Sequence, residues 1–257
     1  MAQGTTIQSL AKAMTLLEIM SRAGRPMSLT ELHQRTSWPR STIFGLLSTM
    51  REFRVVSQWE DGRYALGLRL FEFGCSASRV WDLPAVARPY LQRLTARAEG
   101  TAVLSVCDGG RVMALDQVEG RGGMRVVVDI GMELPLHATS QGKLFLSSMG
   151  QATVTRLLEA QGMTLYTPHT LADLDALTVE MTAIRARGYA VEDGEYKIGL
   201  RSVSAPIYGA GGQMRCALTL VGMFRRVHSE EFQRAVDETV EAARAITQAL
   251  TRADNST

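Results

Sequence analysis

Cys107, His137 and Glu192 are the residue types of a cysteine-nucleophile triad, and His137, Asp193 and Cys216 are donor types that hold metal ions. Neither set has a local motif. The three cysteines, Cys75, Cys107 and Cys216, are an odd number at wide spacing with no C-x-x-C pair, so neither a disulfide framework nor a zinc knuckle is suggested. The expectation is no catalytic residue, no metal and no cofactor, with buried reduced thiols and with His137 fixing its turn through a hydrogen bond. A different chemistry is offered by Arg40, Ser41 and Thr42. Placed near a helix start, the arginine can contact phosphate or a guanine edge, and the two hydroxyls phosphate or base.

The flanking sequence provides the elements to carry those three residues. Ser28 and Glu31 form an S-x-x-E capping box, which starts a helix at Leu29 that runs to about Arg35. Thr36, Ser37 and Trp38 break it, and Pro39 suits the first position of a second helix. On that helix Ile43, Leu46, Leu47 and Met50 recur as a core face, leaving Arg40, Ser41, Thr42, Gly45, Ser48 and Thr49 outside. Val55, Val56 and Gln58 then lead to Asp61-Gly62, a two-residue hairpin signal that sets Arg63 near a wing tip. Ahead of the pair, Leu10, Ala13, Met14 and Leu17 form a stripe on a first helix ending near Gly24, with Pro26 just beyond. The order is that of a winged helix-turn-helix, with double-stranded DNA as the first partner to consider. The same pattern would also serve a helical pair that packs on the rest of the protein and touches no nucleic acid. Charge favours DNA: residues 1–58 hold seven Lys or Arg against three acids, a local +4 in a chain of net +2.

With 257 residues, 46% hydrophobic and 21% charged, the chain has room for a small domain and a larger one. No apolar run nears the roughly 20 residues that span a bilayer, and the first residues lack a signal pattern, so a cytoplasmic location is expected. Residues 66–84 read as one helix rich in Leu, Phe and Trp with a proline at its end, suited to a linker and dimer contact or to burial within a domain. From Pro84 on, a helix over Ala85–Ala98 precedes a hairpin around Asp108-Gly109-Gly110 and a third strand, MRVVVDI. Helical patterns over 140–149, 151–160 and 171–187 come next, then strands over 189–192, 202–208 and 213–222. A capped helix from Ser229, with Phe232, Val236, Val240 and Ile246 on one face, closes the chain. Strand hairpins interleaved with helices indicate an α+β domain, an antiparallel sheet with helices on its faces.

The segments SLTELHQRTSWPRSTIFGLL, DGRYALGLRL, LPLHATSQGKLFL, ARGYAVEDGEYKIGLRSVSAPI and ALTLVG resemble, in order and spacing, the signature blocks of the IclR family of bacterial transcriptional regulators, from about Leu10 to Arg252. The resemblance implies a winged helix-turn-helix DNA-binding domain over residues 1–66 and a linker helix over 67–83. An effector-binding and oligomerisation domain of GAF-like fold would follow over 84–257. It further implies a homodimer or homotetramer on operator DNA, acting as a repressor, activator or both, and sensing a small organic molecule, often a carboxylate or aromatic acid. Arg40, Ser41, Thr42 and Arg63 would contact DNA. The family commonly has an arginine where this chain has Gly45, so preference would rest on the remaining contacts. The linker helix around Phe71 to Trp81 would carry the signal between domains.

LPLHATSQGKLFL passes from a polar turn straight into a helix, so the N–H groups of Ser140, Gln141 and Gly142 would suit a carboxylate. Carried over by motif, the effector contacts would be Gly123, Val126, Ser140, Gln141, Glu192, Ser202, Thr219 and Val221. Gln141 and Val221 depart from the family's common small residue and serine, so the effector need not be that of another member. Glu192 could bind a ligand hydroxyl or amine, or cap a loop. Besides an effector-responsive regulator, the sequence leaves open a protein-interaction module with a vestigial winged helix and a cysteine-dependent enzyme.

Overall fold

The computed structural model describes residues 6–80, 83–120, 126 and 128–254. The chain divides into two compact units, Met1–Asp82 and Leu83–Thr257. No described helix is long and apolar enough to cross a membrane.

In the first unit, α1 (Gln8–Ala23) ends where Gly24 turns left-handed, with φ 60°, and its N–H reaches back to the carbonyls of Met20 and Ser21. The stripe this helix buries differs from the expected one. Leu10 and Met14 are 61% and 53% exposed, whereas Leu16 and Met20 are buried with Ala13 and Leu17 beside them. Two overlapping apolar stripes run along α1, and the core of Leu32, Ile43 and Leu47 takes the one at 13, 16, 17 and 20. The capping box forms at α2 (Leu29–Thr36): the Ser28 N–H donates to Glu31 at 2.7 Å, and the Glu31 N–H donates to Ser28 Oγ at 3.2 Å. That backbone donor and the Arg25 guanidinium at 2.8 Å hold the Glu31 carboxyl down at about 2. After Ser37 in a left-handed C-cap, α3 (Arg40–Glu52) buries Ile43, Leu47 and Met50. Strands β1 (Val56–Gln58) and β2 (Tyr64–Leu66) then pair antiparallel. Their connection is longer than Asp61-Gly62 alone. Trp59 still pairs with Arg63, and Glu60, Asp61 and a left-handed Gly62 make a three-residue loop.

The expected helix over 66–84 is two helices, α4 (Leu68–Val80) and α5 (Leu83–Arg97). Pro84 lies in the first turn of α5, where its missing N–H breaks no helical bond, instead of ending a helix. Trp81 lies outside the described residues. Entry into α4 requires Gly67, because a Cβ there would stand 2.1 Å from the Arg54 carbonyl oxygen. Leu68, Phe71 and Phe73 of α4 are exposed.

The second unit is built on a six-stranded antiparallel sheet. In chain order its strands are β3 (Thr101–Asp108), β4 (Arg111–Glu119), β5 (Glu133–Leu134), β6 (Ala190–Asp193), β7 (Arg201–Tyr208) and β8 (Met214–Gly222). They lie in the order β5-β4-β3-β8-β7-β6. Alternation sorts the two faces. Leu104, Val203, Ile207, Leu218 and Leu220 pack on α5 and on α9 (Glu230–Asp254), through Leu91, Leu94, Phe232, Val236 and Ile246. Beyond the other face are α6 (Ser140–Ser147), α7 (Gln151–Gln161) and α8 (Leu174–Arg187), joined by Leu144, Leu146, Val154, Leu158, Met181 and Ile184. The third strand is not MRVVVDI: Val126 and residues 128–130 are not strand, and the rest of that segment lies outside the described residues. A turn closed by the Met132 N–H on Asp129 and the Gly131 N–H on Ala114 brings Glu133 and Leu134 onto β4 instead. Val126 and Val128 pack on Val103, Ala114 and Val221.

Candidate functional site

On α3 the core takes one side, leaving Arg40 and Ser41 exposed and Thr42 half-buried. Arg40 has no hydrogen bond or ion pair among the described residues, so its guanidinium is available. Arg63, at the tip of the ribbon, is exposed with its Nε 3.5 Å from Asp61 Oδ2. Glu60 and Asp61 beside it make the tip acidic on balance, which weakens its attraction to phosphate. Arg51 donates to Gln58 and so ties α3 to β1. Sequence reasoning passed over Phe44, which is exposed in the middle of α3.

The sheet face opposite α5 and α9 holds a cavity of about 60 Å³. Its apolar walls are Val103, Val126, Val128, Met132, Leu134, Leu200 and Val221; its polar lining is Thr139, Gln141, Glu192, Ser202 and Thr219. Tyr196 and the exposed Lys197 complete it, with the Lys197 ammonium 5.6 Å from the Tyr196 ring. Six of the eight positions carried over by motif thus converge: Val126, Gln141, Glu192, Ser202, Thr219 and Val221. Ser140 is fully buried behind the lining, and Gly123 lies outside the described residues. Tyr196, Lys197 and Leu200 belong to the quoted block GEYKIGLRSV, yet nothing in their spacing tells that this loop closes over a sheet.

The helix start at the cavity is arranged differently from expectation in one respect. Thr139 caps α6, and its Oγ1 accepts the Gly142 N–H at 3.1 Å, so only Ser140 and Gln141 keep N–H groups without a partner among the described residues. Gly142 has no room for a side chain: a Cβ would stand 2.4 Å from the Leu136 oxygen and 2.5 Å from that of Pro135. The chain therefore passes directly beneath the helix start.

Beneath the cavity runs a line of hydroxyls. Thr219 and Ser204 are 2.7 Å apart, Ser204 and Ser140 2.7 Å, and Ser140 and Ser202 2.7 Å. The line ends where Ser202 donates to Glu192 Oε2 at 3.0 Å. Oε1 of Glu192 accepts the N–H groups of Glu195 (2.8 Å) and Tyr196 (3.2 Å). Of the roles open to it, Glu192 fills that of a loop cap while still lining the cavity. Burial pushes its carboxyl up to about 7 against the opposing effect of these donors. The loop it caps is held from outside as well: Thr170 Oγ1 donates to the Glu195 carbonyl at 2.6 Å, and Thr167 Oγ1 to that of Gly194 at 2.7 Å.

The triad residues do not meet. Cys107 is half-buried on β3 with its thiol pushed up, chiefly by burial. His137 bonds the Thr164 carbonyl at 2.9 Å and packs beside Tyr166, tying down the turn ahead of α6. Among the described residues no group of His, Cys, Asp and Glu could hold a metal ion. Of the thiols only Cys216 is fully buried, and Cys75 is exposed because α4 leaves that side uncovered.

A winged helix-turn-helix unit followed by an α+β unit with a cavity on one sheet face is the build of a DNA-binding transcriptional regulator. Two family models match, the IclR helix-turn-helix domain over residues 9–59 and the bacterial transcriptional regulator IclR C-terminal domain over residues 75–248. The chain belongs to the IclR family, whose matched members are transcriptional regulators and not enzymes. It is 33% identical over 244 residues to the acetate operon repressor of Salmonella typhimurium, covering 94% of this chain and 89% of that one. In fold it is similar to an IclR regulator from Silicibacter (TM-score 0.85, 22% identity, 95% and 96% of the two chains). It is also similar to an IclR homologue from Microbacterium hydrocarbonoxydans solved with 4-hydroxybenzoate (TM-score 0.82, 23% identity, 94% and 98%).

Proposed function

We propose that this regulator is a cytoplasmic repressor, homodimeric or homotetrameric, whose grip on double-stranded operator DNA is set by a small organic acid. Arg40, Ser41, Thr42 and Arg63 contact the DNA; Val126, Gln141, Glu192, Ser202, Thr219 and Val221 line the effector's seat, with Gly123 and Ser140 in support. The domain division follows, with a DNA-binding head over 1–66, a linker over 67–83 and an effector-binding, oligomerising body over 84–257. The observation that carries the reading is the cavity itself, apolar on most sides, polar beneath, with Lys197 as its cation. A carboxylate meets Lys197 and the amide of Gln141, and its carbon skeleton meets the valines. Drug-sized ligands occupy roughly 300–1,000 Å³; a cavity of about 60 Å³ favours an acid of few heavy atoms. The 4-hydroxybenzoate held by the Microbacterium protein names the first aromatic acid to try. For control, the acid must prefer one arrangement of the linked domains, and α4 with Phe71 is the route between them.

The test is a fluorescence-anisotropy titration of the full chain on a duplex from its own upstream intergenic region, with a scrambled duplex as competitor and a salt series. Preference for the native duplex, release on adding a small carboxylate, and an Arg40→Ala variant weakened about tenfold with unchanged oligomeric state are expected. Equal, weak binding to both duplexes would overturn the reading in favour of a protein-interaction module.

A further inference from the structure

We propose that Phe44 is a base-reading residue, its ring packing on the 5-methyl group of a thymine in the major groove; this rests on α3 being the helix that enters the groove. Phe44 is 53% exposed although Ile43 and Leu47, beside it in sequence and space, are buried and already supply the core face. About half of the side chain therefore lies outside the core that Ile43 and Leu47 help to fill. It lies one helical turn beyond Arg40, a cation with no partner among the described residues. Two turns further along the same strip is Arg51, which Gln58 of β1 fixes, so the strip faces the side of the ribbon. The next position, Gly45, has no side chain, and nothing lies within 4 Å of where a Cβ would stand. Beside the ring, the surface at Gly45 is thus bare backbone, open to the close approach of a base edge.

The ring's chemistry narrows what it can read. A phenyl group offers no hydrogen-bond donor or acceptor, and the thymine methyl is the one apolar group any base pair presents in the major groove. Arg40 next to it would supply the polar contact, to phosphate or guanine, that fixes the register.

The full chain and its Phe44→Ala and Phe44→Leu variants would each select binders from a random-sequence duplex pool. The best wild-type duplex is then remade with single thymine-to-uracil replacements, which delete one methyl and nothing else. At one position uracil should weaken the wild type about fourfold. Phe44→Ala should bind the unmodified duplex about tenfold more weakly and be blind to that uracil, while Phe44→Leu keeps part of the discrimination. The exposed site predicts unchanged thermal melting and oligomeric state for both variants. If no uracil weakens the wild type, or each weakens wild type and Phe44→Ala alike, the methyl contact is wrong; loss of oligomerisation in Phe44→Ala would make Phe44 a protein contact instead. A pool from which the wild type enriches nothing would overturn the DNA reading, and this contact with it.

Discussion

At Glu192 two effects oppose each other. Three donors, the N–H groups of Glu195 and Tyr196 and the Ser202 hydroxyl, favour the carboxylate, while burial favours the neutral acid and moves the carboxyl from 4.5 to about 7. The folded chain then holds a proton that the unfolded chain has released. Stability from this group is fully present below about pH 4.5 and is lost as pH rises through 7. Comparing urea midpoints at pH 5 and pH 8 should show the wild type losing on the order of 3 kcal/mol more than Glu192→Gln, since a pKa unit is about 1.4 kcal/mol. Glu195, also shifted upward chiefly by burial, is present in both proteins, and its charge adds to the raising of Glu192. Parallel pH profiles would show that burial does not win at this site. The place of Glu192 at the cavity was legible from the block after YAV, but its partners were not. They are backbone groups three and four residues on, and only the closed loop brings them round.

Among the elements, α6 is the least ordinary helix, because all eight of its residues are buried, Lys143 among them. Lys143 pairs with Glu195 and lies 4.0 Å from Glu180, and the second Glu195 oxygen has no partner among the described residues. Lys143→Met should cost about 3–5 kcal/mol by leaving Glu195 buried without its cation, and adding Glu195→Gln should restore most of it. Chemical denaturation of the two variants measures this; a single variant as stable as the wild type would mean that Glu195 simply takes up a proton. The elements most legible in the sequence were those with local punctuation. The Ser28–Glu31 box, Gly24 and Gly188 as helix stops, and the Asp108-Gly109-Gly110 hairpin all work through bonds only a few residues long. Misplacements came where tertiary packing chose between local options: the stripe of α1, Pro84 inside a helix, and the strand displaced to Glu133–Leu134. The burial of Lys143 left no trace, since its partner stands 52 residues away.

For the whole molecule, the proposed function puts effector and operator on one equilibrium. If an acid weakens operator binding by a given factor, operator must weaken acid binding by the same factor, because the coupling free energy belongs to both. Calorimetric titration of 4-hydroxybenzoate, or a smaller carboxylate found active, into free protein and into the protein–duplex complex should give affinities differing by the anisotropy factor, about tenfold for a coupling of 1.4 kcal/mol. Equal affinities for both species would mean that the acid does not influence operator binding at all, and the proposed control would fail. The two-unit plan was legible from composition and block order. The cavity's size was not, because it depends on how far Val126, Val128 and Tyr196 lean over the sheet.

The hydroxyl line from Thr219 to Glu192 also has a polarity. Each hydroxyl owns one hydrogen, and Glu192 Oε1 is already occupied by two N–H groups, so any proton on this acid sits on Oε2. An ionised Glu192 draws every hydroxyl toward itself and leaves Thr219 showing the cavity a lone pair. A protonated Glu192 turns the row round, and Thr219 then offers its hydrogen on the cavity side, where the Gln141 amide oxygen stands 3.5 Å away. Four hydrogen bonds reversing together would make one proton, on the far side of Ser202, Ser140 and Ser204 from Thr219, decide whether that end of the cavity floor greets an acceptor or a donor.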